Sequence, residues 1–186
     1  GTDIENNKNS VTDKKVDPAT VIGVIWLSGM GIMLMYTAFS YFRIYRRVAE
    51  SAPLAEKIRV CDHIDSPFIL GVIRPKIYFP SDIKSEDRVY VLAHERAHLK
   101  RLDHIWKPLG FLLLTIYWFH PLLWVGYILL CKDIEYACDE KVIKELGPEQ
   151  KKTYSTALIN CSVSKKMISA CPLAFGETGV KGRVKS

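Results

Sequence analysis

Several familiar sequence signals are missing from this chain. Its five cysteines are odd in number and widely spaced, and no two of them form a CxxC pair. This spacing predicts neither a disulfide framework nor a cysteine zinc knuckle, and it fits a reducing compartment. No short apolar segment follows a basic start with a small-residue cleavage site, so we expect no secretory signal peptide.

The charge pattern also lacks the signature of a nucleic-acid-binding protein. The formal net charge is +6, but no basic run is interleaved with aromatic residues that stack on bases. We therefore expect no direct nucleic-acid binding. Basic residues on the cytoplasmic flank of a membrane span explain the charge more simply. With 186 residues, of which 48% are hydrophobic, the chain is long enough for one domain with its own core.

Residues 21–42 form an uncharged apolar run of 22 residues. A helix of that length covers the roughly 30 Å hydrocarbon core of a bilayer, so the run predicts a transmembrane helix. Residues 1–20 before it are polar and predict a loop or chain end. Three arginines follow the run within five residues. The positive-inside rule then places residues 43–186 in the cytoplasm as one domain.

The residues after the span predict a small β-sheet. The runs IRVCDHI, FILGVIR and KIYF are rich in β-branched and aromatic residues, and the last two predict a hairpin near Pro75. FILGVIR is predicted either as an edge strand that pairs with extended substrate or as an internal strand. Ser85 is the predicted N-cap of the next helix. The predicted apolar side of that helix consists of Val89, Leu92, Ala93, Leu99 and Leu102.

This helix contains the pattern HExxH, from His94 to His98. Helical residues four apart share a face, so both imidazoles can reach one metal ion. Glu95 lies beside them and is placed to take a proton from a metal-bound water. The alternative is an ordinary solvated helix face.

A catalytic zinc site of this type needs a third protein ligand and an open position for water. The downstream segment IEYACDE offers Glu135 as that ligand, with Glu140 as a competitor. Asp139, one turn after Glu135, can accept a hydrogen bond from one of the histidines and fix its tautomer. Cys138 is a soft donor nearby, although packing as a small apolar residue is its simpler role.

A second apolar run covers residues 108–130. A single membrane crossing there would put the HExxH helix and the downstream glutamate on opposite sides, where they cannot share a metal ion. His120-Pro121 interrupts the run, and proline is favoured in the first turn of a helix but disfavoured inside one. We therefore predict a helical hairpin, about 104–119 and 121–146, that either packs in the domain core or dips into the bilayer.

Five segments in order resemble the BlaR/MecR-type integral-membrane zinc metallopeptidases, the antibiotic-responsive sensor-transducers of bacteria. They are SPFILGVIRPKIYFP (66–80), LAHERAHLKRLDH (92–104), YWFHPLLW (117–124), EYACDE (135–140) and PLAFGETGVKGRVK (172–185). The resemblance covers about residues 21–186. Five motifs make it specific, which HExxH alone would not.

The resemblance implies an α+β fold, a mainly helical gluzincin-type metalloprotease domain with a small β-sheet, preceded by a transmembrane helix. It implies Zn²⁺ held by His94, His98 and Glu135, with Glu95 as general base. Asp103 fits the family's motif and would support a ligand from behind, or serve a simple polar role at the helix end. The implied activity is that of a membrane-anchored cytoplasmic protease that cleaves itself and a transcriptional repressor. No substrate-binding residue is assigned.

Relatives of this type have further membrane spans, and some carry an extracellular penicillin-binding sensor domain. This chain contains none of these segments, so a β-lactam is only one candidate signal. Two other functions share part of the pattern. One is a membrane quality-control or prenyl-protein protease, and the GVIRPKIYFP segment argues against it. The other is a catalytically silent, signal-transmitting receptor domain, and the intact Glu95 argues against that.

Overall fold

The computed structural model describes residues 17–62, 64, 66–163 and 174–176. The helices are α1 (Pro18–Arg47), α2 (Ser85–Lys100), α3 (Asp103–Ile116), α4 (Pro121–Leu146) and α5 (Lys151–Val163), with a short 3-10 helix at Pro148–Gln150. The strands are β1 (Ala52–Ala55), β2 (Ile58–Cys61), β3 (Phe68–Leu70), β4 (Lys76–Pro80) and β5 (Ala174–Gly176). The predicted α+β fold, mainly helical with a small sheet, is confirmed. Residues 1–16 of the predicted polar segment and most of the 172–185 motif lie outside the described residues.

Helix α1 contains the predicted membrane span and extends beyond it at both ends. It begins at Pro18, where the Asp17 side chain accepts a hydrogen bond from the Ala19 N–H at 3.4 Å. The predicted loop over residues 1–20 is therefore too long, because Asp17 and Pro18 together form a favourable helix start. With 30 residues, α1 is long and apolar enough to cross a membrane.

The C-terminal end of α1 is attached to the sheet. Ile44 and Val48 are buried in a small cluster that includes Phe68 of β3 and Tyr78 of β4. Most large apolar side chains in the preceding turns of α1 are exposed instead. The helix is therefore anchored at its basic end, and most of its apolar length is not covered by the described part of the chain.

The five strands form one sheet in the order β1-β2-β4-β3-β5. β2 and β4 are parallel, and the other neighbouring strands are antiparallel. β3 and β4 form the predicted hairpin around Pro75. The turn requires Gly71, because its φ is +104° and a Cβ there would lie 2.8 Å from the carbonyl oxygen of Arg74.

Strand β3 is internal to the sheet. Its outer edge pairs with β5, with Ile69 opposite Phe175, and all three residues of β3 are buried. The interpretation of FILGVIR as an edge strand open to substrate is therefore wrong, and the internal-strand alternative is right. The chain's own residues 174–176 occupy the edge that a substrate would need.

Helix α2 packs against α4, α5 and the sheet through one core cluster. It begins at Ser85, with Lys84 rather than Ser85 in the N-cap position and no side-chain capping bond. Its predicted apolar face is partly wrong, since Val89 is 65% and Leu102 is 50% exposed. His94, Glu95 and His98 are buried instead. The polar motif faces the interior together with apolar residues of the same helix, among them Val91 and Ala97 in the core and Leu92, Ala93 and Leu99 packed against it.

Helices α3 and α4 form the predicted hairpin, although α3 ends three residues earlier than expected. Pro121 is the first residue of α4, as predicted, and His120 is its N-cap. Leu102, with a left-handed φ of 60°, separates α2 from α3. Gly110 lets α3 approach α4 closely, because a Cβ there would lie 2.7 Å from a methyl carbon of Leu130.

The outward surface of this hairpin is apolar and exposed. The exposed large side chains include Leu109, Leu112, Leu113, Leu122, Val125, Ile128 and Leu129. The described part of the chain does not cover this surface, whereas Phe111 and Leu114 of α3 are buried.

The tip of the hairpin is attached to α1 by indole hydrogen bonds. Trp26 of α1 donates through Nε1 to the carbonyl oxygen of Ile116 at 2.8 Å. Trp118 donates in return to the carbonyl oxygen of Trp26 at 3.2 Å, and Trp124 donates to that of Trp118 at 2.7 Å. We call these three residues the indole clasp. It joins the apolar helix α1 to the turn between α3 and α4.

Candidate metal centre

Helix α2 presents both histidines of the HExxH motif to the interior. The side chains of His94, Glu95 and His98 are all buried. The Nε2 atoms of His94 and His98 are 3.0 Å apart. Helical spacing of four residues places both rings on one face, and the cover of α4 and α5 removes that face from water.

The residue predicted as third ligand, Glu135, lies on helix α4 near both histidines. Glu135 is buried, and its Oε2 lies 3.8 Å from the Nε2 atom of His94 and 3.8 Å from that of His98. The hairpin turn at His120-Pro121 is what returns the chain so that Glu135 faces α2. Three donor atoms from two helices therefore surround one small space.

The other ring nitrogen of each histidine faces an oxygen. Nδ1 of His98 lies 2.8 Å from Oδ2 of Asp103, at the start of α3. Nδ1 of His94 lies 3.1 Å from Oδ1 of Asp139 and 2.8 Å from the hydroxyl of Tyr154. A carboxylate accepts hydrogen bonds, so these contacts favour a proton on each Nδ1 and a lone pair on each Nε2.

This arrangement fits a bound cation. Two Nε2 lone pairs that point into one space repel each other, unless a positive charge lies between them. Tetrahedral zinc with Zn–N distances of about 2.0–2.1 Å separates its ligand atoms by about 3.3 Å. The separations of 3.0, 3.8 and 3.8 Å lie close to that value on either side. Two imidazole nitrogens and a carboxylate oxygen are also donors that zinc prefers.

The surroundings of His98 and Glu135 also favour a positive charge beside a negative one. Burial opposes a charge on His98, but its hydrogen bonds with Asp103 and Cys138 outweigh burial and raise its pKa from 6.5 to about 10. Burial also opposes ionisation of Glu135. The hydrogen bond with His94 and the positive charges of His98 and Lys107 outweigh it and hold the pKa of Glu135 well below its usual range. The site thus stabilises an ionised Glu135 and a positive charge beside it, which either a proton on Nε2 of His98 or a metal ion in place of that proton would supply.

Cys138 offers a second donor set with the two histidines. Its sulfur and one nitrogen from each ring lie within 4.8 Å of one another. However, Sγ of Cys138 lies 3.8 Å from Nδ1 of His94 and donates to the His94 carbonyl oxygen at 3.3 Å. It therefore approaches the nitrogen that already bonds to oxygen. Glu135 instead lies 3.8 Å from both Nε2 atoms.

The competing ligand Glu140 faces away from this centre. Its Oε1 accepts from Lys144 Nζ at 2.7 Å, and both side chains are exposed. Tyr154 was not recognised from the sequence. The available signal was a tyrosine on the buried face of α5, together with Ala157, Leu158 and Cys161 at helical spacing.

Comparison with known proteins gives a family and several relatives. A family model described as BlaR1 peptidase M56 matches residues 2–186. The methicillin resistance mecR1 protein of Staphylococcus aureus is 26% identical over 192 residues, which cover 89% of this chain and 33% of the relative. The mecR1 protein of Staphylococcus epidermidis gives the same values. The regulatory protein BlaR1 of Bacillus licheniformis is 27% identical over 182 residues, which cover 86% and 30%.

The chain thus spans about a third of the length of the curated relatives it matches. The family match, in contrast, extends over almost the whole chain. The buried cluster of metal-binding side chains agrees with this match. The chain belongs to the BlaR1 peptidase M56 family and is a metallopeptidase by that membership.

Proposed function

We propose that the chain is the zinc endopeptidase part of a BlaR/MecR-like sensor-transducer, and that it cleaves itself and a transcriptional repressor to relay an extracellular signal. The observation that carries this proposal is the set of His94, His98 and Glu135 around one buried space, with both Nδ1 atoms held by oxygens. Membership of the metallopeptidase family supports it. A β-lactam is one candidate signal.

The metal in this proposal is zinc. His94 and His98 would bind it through Nε2 and Glu135 through a carboxylate oxygen, which leaves a fourth position for water. When bound, zinc supplies a Lewis acid that polarises the scissile carbonyl group and makes that water more acidic. Asp103 and Asp139 would hold the two imidazoles in position from behind, at 2.8 and 3.1 Å.

Glu95 is the proposed general base. It is buried on α2 directly after His94. Its carboxylate would take a proton from the attacking water and pass it to the leaving amine of the peptide bond. The cleaved bond gains one water in total, so no further reactant is needed.

We further propose that α1 crosses the cell membrane and that the peptidase domain faces the cytoplasm. Two arginines lie in the last turn of α1, at the end attached to the sheet. Such residues favour the cytoplasmic side. The partners of the domain would be its protein substrate, membrane lipid and the sensor and membrane segments of the full-length protein.

The hairpin would enter the same bilayer beside α1. Trp26, to which the hairpin tip is bound, lies 17 residues before Arg43. At about 1.5 Å per residue, this is about 25 Å along the helix, close to the roughly 30 Å thickness of the hydrocarbon core. The tip would therefore reach the outer half of the bilayer, and the exposed leucines of α3 and α4 would face lipid.

The indole clasp supports this location. Lipid offers no hydrogen-bond partners, so backbone carbonyls freed at a helix break need partners within the protein. The clasp provides such partners for Ile116 and Trp118 at the break between α3 and α4. Because side chains of α1 and α4 donate hydrogen bonds to these two carbonyl groups, the turn could lie in lipid without leaving them unpaired.

The test is cleavage of a candidate transcriptional repressor by the full chain in detergent micelles. We expect Glu95→Ala to keep stoichiometric zinc but to cleave about 10² to 10⁴ times more slowly than wild type, because only the base is lost. Glu86→Ala, at an exposed position of the same helix, is the control and should cleave normally.

Undiminished cleavage by Glu95→Ala would contradict the proposed mechanism. Cleavage by the wild type that persists after zinc is removed with a chelator would contradict the role of the metal.

A further inference from the structure

Helix α5 places one hydroxyl group against the metal centre from outside the HExxH and IEYACDE segments. The side chain of Tyr154 is 2% exposed. Its oxygen lies 2.8 Å from Nδ1 of His94 and 2.7 Å from Oδ1 of Asp139. Nδ1 of His94 is therefore closer to the tyrosine than to Asp139, from which it is separated by 3.1 Å.

The direction of these hydrogen bonds follows from the number of protons. A phenol has a single proton to donate, and an ionised carboxylate only accepts. Tyr154 donates its proton to Asp139. Its oxygen must then accept from Nδ1 of His94, so that nitrogen carries the imidazole proton.

We propose that Tyr154 is a positioning residue of the metal centre, which holds His94 in the tautomer whose Nε2 lone pair can bind zinc. This inference rests on the proposed ligand set. Asp139 accepts the phenol proton, so the phenol oxygen accepts a hydrogen bond from Nδ1 of His94. The imidazole proton of His94 therefore stays on Nδ1. Outer partners of this kind orient a ligand and exclude the tautomer that cannot bind.

The first test is the zinc affinity of Tyr154→Phe in the full chain in detergent, measured by competition with a chelator. The ring and its packing remain, and only the hydroxyl is lost. We expect zinc to bind about tenfold more weakly, at the low end of the usual range for such partners, because Asp139 still contacts His94. Tyr90→Phe is the control, since Tyr90 packs partly buried against the same core cluster, and it should bind zinc like the wild type.

The second test distinguishes positioning from support of the fold. In Asp139→Ala, the phenol loses its acceptor and is free to donate to Nδ1 of His94, which favours the wrong tautomer. Adding Tyr154→Phe to Asp139→Ala should therefore restore part of the zinc affinity. The absorption spectrum of the Co²⁺-substituted protein provides a separate readout of the ligand geometry, and it should change in Tyr154→Phe but not in Tyr90→Phe.

Zinc affinity in Tyr154→Phe equal to or tighter than that of the wild type would overturn the inference, even if thermal stability fell. A further loss of affinity in the double variant would show that Tyr154 supports zinc binding without Asp139, and would contradict the role of Asp139 in directing the phenol proton. Failure of the wild type itself to bind stoichiometric zinc would instead contradict the proposed function.

Discussion

The two ends of the α3–α4 hairpin are held by different kinds of hydrogen bond. At the base, ionisable side chains that are buried or half-buried bond to one another: Asp103 of α3 to His98, and Asp139 of α4 to His94 and Tyr154. At the tip, indole N–H groups of the clasp bond to backbone carbonyls. The base carries candidate ligands, whereas the surface toward the tip carries exposed apolar side chains.

Both ends of the hairpin pair polar groups that are removed from water, but the groups and their surroundings differ. A polar group removed from water needs a hydrogen-bond partner, and an unpaired one costs about 1–3 kcal/mol or more. In the domain interior the groups are carboxylates and imidazoles, whose mutual contacts fix protonation states. At the tip they are carbonyls of a broken helix, and tryptophan supplies donors together with an apolar surface. If the proposed function is right, one pair of helices serves both a metal centre and a membrane attachment.

The largest expected effect is all-or-none, and it tests on which side of the membrane the base of the hairpin lies. Single cysteines at positions 84 and 150, on a background without the native cysteines, flank α2 and α5. Both should resist an impermeant thiol reagent in intact cells until the membrane is opened, because both helices contribute to one centre. A cysteine at position 12, before the span, is the control and should react from outside.

Labelling at 150 but not at 84 would mean that the run 108–130 crosses the bilayer once. The shared metal centre would then be impossible.

The next largest effect compares two glutamates on α4. Glu135→Ala removes the carboxylate that faces both Nε2 atoms and should abolish stoichiometric zinc binding. Glu140→Ala, one and a half turns further on, removes only an exposed partner of Lys144 and should bind zinc normally. Elemental analysis of both purified proteins measures the difference. Full zinc retention by Glu135→Ala, in folded protein, would point to Cys138 as the third ligand instead.

Much of the structure at the base of the hairpin was predictable from the sequence, because it depends on the local sequence of each helix. HExxH on a helix predicts two imidazoles on one face, and Pro121 predicts where the second helix of the hairpin starts. The requirement that His98 and Glu135 meet then predicts an antiparallel hairpin. The strand pairing around Pro75 also follows from local sequence.

Other features depend on contacts between distant segments, and no local rule contains them. Strand β5 pairs with β3 across about a hundred residues of chain, so FILGVIR was open to interpretation as an edge. The buried face of α2 was misjudged because His94 and His98 find oxygen partners on α3, α4 and α5. Tyr154 and Trp26 likewise acquire their partners only in the folded chain.

The smallest expected effect tests the tip alone. Gly29 of α1 lies against the indole ring of Trp118, and a Cβ there would overlap ring atoms. Gly31, on the same helix, has no atom within 4 Å of its would-be Cβ. Both changes to alanine gain up to about 1 kcal/mol of helix propensity. Gly29→Ala must in addition displace Trp118 from the clasp, which should cost about 1–3 kcal/mol relative to Gly31→Ala.

Denaturant unfolding of both variants in the same micelles measures this difference in stability. The zinc affinity of each variant then shows whether a disturbance at the tip of the hairpin reaches the metal centre at its base. We expect Gly29→Ala to unfold more easily than Gly31→Ala yet to bind zinc with wild-type affinity. The hydrogen bonds that orient His94 and His98 all lie at the other end of the hairpin. Equal stability of the two variants would show that the clasp is not a tight contact. A parallel loss of zinc in Gly29→Ala would show that displacement of α1 is transmitted along the hairpin to the metal centre.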